Sequence, residues 1–399
     1  MALFQQPSRE VWIVSAVRTP IGSFLGSLSS FTAPELGSIA IREALARAKL
    51  SPQDISEVLL GCVLTSGIGQ APARQAALGA GLSKATPCTT IGKVCGSGLK
   101  AVMQGAQAIQ AGDAEVVVAG GMESMSNVPH ALAKSRQGYK MGHQTLTDLM
   151  IQDGLWDVYN DFHMGQAGEL CAREKKVSRE EQDAFAKRSY ERAQRAQREG
   201  LFSDEIVPIE IRDPKGGAST FVSHDEDPSK AKFDRFATLK PSFSKDGTIT
   251  PANASSINDG AAALVLVSRE FGEKRGLTPL AAIRGQAQFA REPEWFTMAP
   301  AGAIERLMEK LSWSKDSIDL FEINEAFSVV NLAVARELGL DADKVNVHGG
   351  AVALGHPIGA SGARILVTLV HAMKRYGRAR GVASLCIGGG EAVAMGVER

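Results

Sequence analysis

The chain repeats itself, and the repeat limits the fold more than any other feature. The run from Ala40-Ile41-Arg42-Glu43 through Leu50-Ser51-Pro52-Gln53-Asp54-Ile55 to Leu60 lines up without a gap on Ala303-Ile304-Glu305-Arg306 through Trp313-Ser314-Lys315-Asp316-Ser317-Ile318 to Ile323. A second pair follows in the same order. Gly96-Ser97-Gly98 stands ahead of Gly120-Gly121-Met122-Glu123, and Ala360-Ser361-Gly362 stands ahead of Gly388-Gly389-Gly390-Glu391. Chance likeness between alanine-rich helices does not keep helix, turn and strand in order at separate places. Two copies of one α/β unit are the economical reading. Copies that face each other across a pseudo-twofold bring equivalent loops to one shared site.

Strand and helix patterns alternate through the first copy. Val11–Val17 reads as a buried strand, Ala33–Lys49 as a helix with Leu36, Ile39, Ala40, Ala44 and Leu45 on one face, and Val58–Gly61 as a second strand. Ala71–Leu78 reads as a helix, Thr89–Val94 as a short strand, Leu99–Ala111 as a helix, and Ala114–Gly121 as a strand. This alternation predicts an α/β fold with a mostly buried sheet. From Met122 to about Asn253 the texture is more polar and less periodic, which predicts an insertion that covers a site. Its one clear helix, Arg179–Glu199, is strongly charged and reads as solvated. Asp213–Gly217 and His224–Pro228 read as loops. The apolar texture returns with Ala261–Val267.

Lysine plus arginine and aspartate plus glutamate each number 44, so no bulk charge points to nucleic acid or an anionic membrane. No apolar run approaches spanning length, and Met1–Glu10 carries no apolar signal core. The five cysteines, Cys62, Cys88, Cys95, Cys171 and Cys386, are scattered with no zinc spacing. They read as reduced thiols of a cytoplasmic protein.

Cys95 has the most informative surroundings. Cys95-Gly96-Ser97-Gly98 joins a strand to a helix, where the helix dipole favours a thiolate and the glycines let a ligand approach the backbone. The second copy offers partners. His356, between Gly355 and Pro357, is held by turn chemistry and can take a thiol proton. Cys386 ends a strand before Gly388-Gly389-Gly390 and suits either a second acid–base thiol or a core position. Asn324 suits an oxyanion pocket or strand-end capping. His348 and His371 read as structural. Amides at Cys95 and in the triple glycine are natural oxyanion donors.

Taken together, Cys95–Gly98, Asn324-Glu325-Ala326-Phe327, Gly355–Gly362, Cys386–Gly390 and Asn253–Ala261 resemble the signatures of the thiolase family, in the family's order, from Val11 to Val397. The likeness is strongest to its short-chain biosynthetic branch. It implies two duplicated αβαβαββ halves, each with a five-stranded sheet, and an inserted loop domain. The halves fall at residues 1–123 with 257–278 and at 279–399, and the insertion at 124–256. It implies reversible condensation of two acetyl-CoA to acetoacetyl-CoA and CoA through an acyl-cysteine. Cys95 is the nucleophile, His356 its base and Cys386 the base for the second substrate. One oxyanion pocket is His356 with a water on Asn324; the other is the amides of Cys95 and Gly388. Ser255, Leu155, His163, Met164, Leu239, Phe243, Ala326 and Phe327 are implied as CoA and acyl contacts, with Met164 narrowing the acyl pocket. No clear match exists for an arginine at the adenine end, where Lys230 or Arg235 are the substitutes. The resemblance implies no metal and no resident cofactor, because CoA is substrate and product. It also implies a dimer paired into a homotetramer by an arm over Ser124–Met141. A degradative thiolase for longer chains shares this chemistry. A ketoacyl synthase needs a second histidine where Cys386 stands, and a lipid-binding scaffold needs no nucleophile.

Overall fold

The structure, a computed structural model, describes residues 9–213 and 216–399. Residues 1–8 of the polar N-terminal stretch, and Pro214 and Lys215 of the expected 213–217 loop, lie outside the described residues. The first copy runs β1 (Val11–Arg18), α1 (Ala33–Ala48), β2 (Glu57–Gly61), α2 (Pro72–Gly79), β3 (Cys88–Ile91), α3 (Ser97–Ala111) and β4 (Val116–Ser124). After the insertion, which holds α4 (Met164–Glu174) and α5 (Arg179–Arg198), come β5 (Asn258–Ser268) and α6 (Arg269–Lys274). The second copy runs β6 (Ala281–Ala290), α7 (Ala299–Leu311), β7 (Leu320–Ile323), α8 (Ser328–Leu338), α9 (Ala351–Leu354), α10 (Ile358–Tyr376), β8 (Arg380–Ile387) and β9 (Glu391–Glu398).

The repeat read from the sequence is a repeat of geometry. Helix α1 ends on Lys49 at φ 54° and α7 on Ser312 at φ 53°. A short 3-10 turn led by Ser51 or Ser314 then feeds β2 or β7. The expected sheets of the two halves are joined into one. A single ten-stranded sheet has its main path in the order β7-β8-β9-β6-β1-β5-β4-β2-β3. The halves meet edge to edge where Val11–Ile13 of β1 pairs antiparallel with Ala281–Ile283 of β6. Such pairing removes two exposed edges, each a row of unpaired backbone groups. In the first half β3 pairs with β2 over Val58–Gly61; its counterpart in the second half is one isolated bridge between Phe321 and Val345.

The central helices α3 and α10 pack on each other and form one core with strands from both halves of this sheet. A Cβ on Gly98 would lie 2.8 Å from the Ala363 nitrogen, and one on Gly362 would lie 2.5 Å from that of Leu99. Only glycine at both equivalent positions lets the two helix starts approach this closely. From Ile358 to Met373 α10 is buried on all sides, and one stripe of it, Ser361, Arg364, Thr368 and His371, is polar and meets buried polar groups.

The insertion is more tightly held than its polarity suggests. Helix α5, read as solvated, buries Gln182, Phe185, Ala186, Ser189, Ala193 and Ala196. Its charged side chains lie along the protein: Arg192 donates to the Val345 carbonyl at 2.7 Å. Arg18, fully buried in β1, binds Glu205 at 2.7 Å and Asp225 at 2.6 Å, so two buried ion pairs tie the insertion to β1, although Glu205 Oε2 has no protein partner. Helix α4 was not anticipated. The segment after Glu123 is partly an exposed hairpin, with His130–Ala131 paired to Thr147–Asp148 and Met141 fully exposed. Among the described residues no helix is long and apolar enough to cross a membrane.

Candidate active site

Cys95 sits in the turn between β3 and α3. The preceding Val94 has φ 43°, a left-handed conformation that a β-branched residue adopts only under constraint, at a cost of about 1–3 kcal/mol. Ser97 supplies part of that constraint. Its Oγ accepts from the Lys93 amide at 2.8 Å and donates to the Val94 carbonyl at 2.7 Å. Lys93 is also ion-paired with Glu391 of the other half. The thiolate expected at this helix start is not the resting state. Burial pushes the Cys95 thiol up to about 11, against the pull of the Gly388 amide and its own. Desolvation outweighs the helix dipole here, so ionising the thiol requires a base close by.

His356 lines the same cavity as Cys95. Its amide donates to Asn258 Oδ1 at 2.9 Å, which fixes the turn. Its Nδ1 lies 2.6 Å from Ser361 Oγ, and that hydroxyl donates to the Pro357 carbonyl at 2.9 Å. Because the hydroxyl proton goes to the carbonyl, Nδ1 carries the ring proton and Nε2 keeps its lone pair. Nε2 has no protein partner. Burial, then the Arg364 charge, holds the imidazole down at about 3, so it rests neutral. Asn324, just beyond β7, approaches Nδ1 at 3.5 Å, while its Oδ1 has no protein partner. Asn331 pins its backbone carbonyl at 3.2 Å.

Cys386, in β8, is fully buried. Burial raises its thiol well above the usual range, and the neighbouring Cys95 sulfur raises it further. Cys95, His356 and Gly388 share the wall of a largely apolar cavity of about 260 Å³. Leu155, His163, Met164, Phe243, Ser255, Ala326 and Phe327 line the same cavity. His163 stacks on Phe243 with centroids 4.8 Å apart, and Ser255 Oγ donates to the Ala326 carbonyl at 2.9 Å.

Leu239 does not join them. It packs with Phe233, Phe236 and Tyr190 against α5 in a separate cluster. Lys230, a substitute considered for the adenine end, is paired with Glu226 and Asp227, and neither it nor Arg235 lines this cavity. The sequence reading missed Met125, Phe296 and Ile358 in the wall, and Ser361 and Asn258 behind His356. Ile358, Ser361 and Asn258 lay inside motifs already noticed; Met125 and Phe296 sit in stretches with no local signal. His348 and His371 are structural as read: His348 contacts the Tyr376 hydroxyl at 3.1 Å and His371 the Ala16 carbonyl at 2.8 Å. Among the described residues no group of His, Cys, Asp and Glu is arranged to hold a metal.

Comparison with known proteins accords with this geometry. The chain is 53% identical over 390 residues to acetyl-CoA acetyltransferase of Cupriavidus necator, covering 98% of this chain and 99% of the relative. It is 54% identical to acetyl-CoA acetyltransferase 1 of Arabidopsis thaliana, covering 98% and 94%. The crystal structure of Acat5 thiolase from Ascaris suum in complex with coenzyme A superposes with a TM-score of 0.93 at 44% identity, covering 98% of this chain and 100% of that one. Residues 11–270 match the thiolase N-terminal domain and 277–399 the thiolase C-terminal domain, so that both copies of the repeat are accounted for and the chain belongs to the thiolase family.

Proposed function

We propose that this chain is an acetyl-CoA acetyltransferase that joins two acetyl-CoA into acetoacetyl-CoA and CoA, and runs the same steps backwards as thiolysis. The observation that carries this reading is the cavity shared by Cys95, His356 and Gly388, with the Cys386 thiol beside Cys95. His356 Nε2 takes the Cys95 proton as the sulfur attacks the thioester carbonyl. The oxygen that becomes negative meets His356 and a water on Asn324. CoA leaves as a thiolate, and the high-affinity proton of Cys386 goes to it. Cys386 is then a thiolate and removes a proton from the methyl group of the second acetyl-CoA. The carbanion attacks the acetyl carbonyl on Cys95, whose oxygen is met by the amides of Cys95 and Gly388. Acetoacetyl-CoA leaves and Cys95 regains its proton.

The small apolar cavity, walled by Met164, Met125 and Phe296, favours acetyl and acetoacetyl groups over long chains. We read residues 1–123 with 257–278 and 279–399 as the two catalytic halves, and 124–256 as the CoA-covering insertion. A catalytic thiol suits a reducing compartment such as the cytoplasm. The exposed Leu132, Tyr139, Met141 and Leu146 on the hairpin arm suit assembly into a homotetramer.

Mass spectrometry after brief mixing with acetyl-CoA tests the division between the thiols. Cys386→Ala is expected to acquire acetyl on Cys95, yet to lose condensation and exchange of solvent deuterium into the acetyl methyl group by about 10²–10⁴-fold. A folded Cys386→Ala protein that condenses at the unaltered rate refutes the assignment.

A further inference from the structure

Glu123 lies near the end of β4, is wholly buried, and has no part in the steps above. Its Oε2 accepts from the Val63 amide at 3.1 Å and the Gly359 amide at 2.8 Å. Its Oε1 accepts from the Leu64 amide at 3.2 Å and lies 3.6 Å from the Cys62 thiol. Val63 and Leu64 follow β2 in the first half. Gly359 belongs to the first turn of α10 in the second half, three residues beyond His356.

Helix α10 has no side-chain cap of its own, because its N-cap is Pro357. A helix start leaves amides without partners and carries partial positive charge, so a carboxylate is the fitting group to meet it. The approach is built in: a Cβ on Gly359 would lie 2.6 Å from Glu123 Oε2. Every polar neighbour of the carboxylate is a donor, so a proton on Glu123 finds no acceptor. Burial pushes the group up to about 7 and the three amides draw it down. Its charge also opposes ionisation of Cys95. The repeat gives independent support. Glu391, which aligns with Glu123, reaches across to Lys93 just ahead of Cys95. Each glutamate therefore ties its own half to the start of the other half's central helix.

We propose that Glu123 is a positioning residue for acyl transfer: a carboxylate from the first half caps α10 of the second and fixes His356 against Cys95. This rests on the roles given above for Cys95 and His356.

Glu123→Gln offers one acceptor oxygen and turns an amide NH₂ towards the donors. Glu123→Asp keeps the charge on a shorter stem. For Glu123→Gln, kcat is expected to fall about 100-fold, as for a small misplacement of a reacting group, with KM for acetyl-CoA held within about threefold. For Glu123→Asp, which keeps the charge, kcat and iodoacetamide labelling of Cys95 are expected to fall together by about tenfold, because a displaced His356 no longer takes the thiol proton. A fall in kcat at an unchanged KM, with labelling of Glu123→Asp falling beside it, supports the proposal. An unaltered kcat, or a fall in kcat of Glu123→Asp with its labelling unchanged, overturns it. Where circular dichroism finds Glu123→Gln unfolded, Glu123→Asp decides by the same criteria. An acetyl adduct on Cys95 of the unaltered protein separates the two readings: its absence refutes the proposed function, and its presence leaves the Glu123 variants to judge this inference.

Discussion

The two halves use equivalent positions for different work. Ser97 and Ser361 occupy matching sites at the starts of α3 and α10. Ser97 clamps the backbone of the turn that carries Cys95, whereas Ser361 holds the ring of His356. Cys95 itself corresponds to Gly359, where a bare amide meets Glu123. The glutamates differ as well: Glu123 is buried on amides, and the half-exposed Glu391 pairs with Lys93. The connections after β4 and β8 differ most, since residues 125–257 follow the first and 388–390 the second. Duplication therefore supplied a scaffold with two helix starts side by side. One start presents Cys95, the proposed acyl carrier, the other presents His356, the proposed proton acceptor, and one long connection forms the insertion.

The contrast between nucleophile and base is broken most sharply by substituting each in turn. Cys95→Ser is expected to fold and melt like the unaltered protein but lose turnover by at least about 10³-fold, since a hydroxyl is far less acidic than a thiol. His356→Ala is expected to slow acetylation of Cys95 by about 10²–10⁴-fold. Quenched-flow mass spectrometry reads both, and a Cys95→Ser protein with half its turnover rejects the assignment.

Acid sensitivity sharpens the contrast at a smaller scale. The first half carries no histidine before Glu123, whereas the second buries His348 and His356, held down at about 4 and about 3. Below pH 6.5 the unfolded chain binds protons at these rings and the native chain does not, so each erodes stability as pH falls towards its native value. The slope is about 1.4 kcal/mol per pH unit per ring. Glu123 and Glu322, raised to about 7 and about 8, act with opposite sign because the native state holds their protons longer. The expected result is therefore a difference: His348→Gln loses less stability than the unaltered protein between pH 6.5 and 4.5, by about 1.4 kcal/mol per unit. Urea titrations at several pH values measure it, and parallel slopes refute it.

The paired serines give the smallest effect. Ser97→Ala leaves the Lys93 amide without an acceptor and is expected to cost about 1–3 kcal/mol of stability. Ser361→Ala frees the His356 ring and is expected to lower kcat about tenfold with a smaller stability loss. Thermal melts and steady-state rates on both variants decide it, and equal effects on both readouts erase the distinction between the serines.

Much of this was legible early because it is local. The duplication, the alternating elements and the short motifs at Cys95, Asn324, His356 and Cys386 are carried by near neighbours in the chain. Leu239 lies outside the cavity because a loop residue can pack towards it or away from it, and Phe233 and Phe236 offer the apolar surface nearer to it. Helix α5 was misjudged because its charge obscured a narrow stripe of small residues. Met125 and Phe296 went unnoticed because residues that only fill a wall leave no pattern in their own neighbourhood.

The sequence by itself determined the repeat, the α/β layers, the elbow that presents Cys95 and the turn that presents His356, since backbone preference and apolar spacing act over a few residues. Only the tertiary structure decided that the halves share one sheet, that burial lifts the Cys95 thiol to about 11 and holds His356 at about 3, and that Glu123 meets Gly359. Those outcomes depend on what excludes water from a group and which distant donor faces it, and neither is written in the residues on either side.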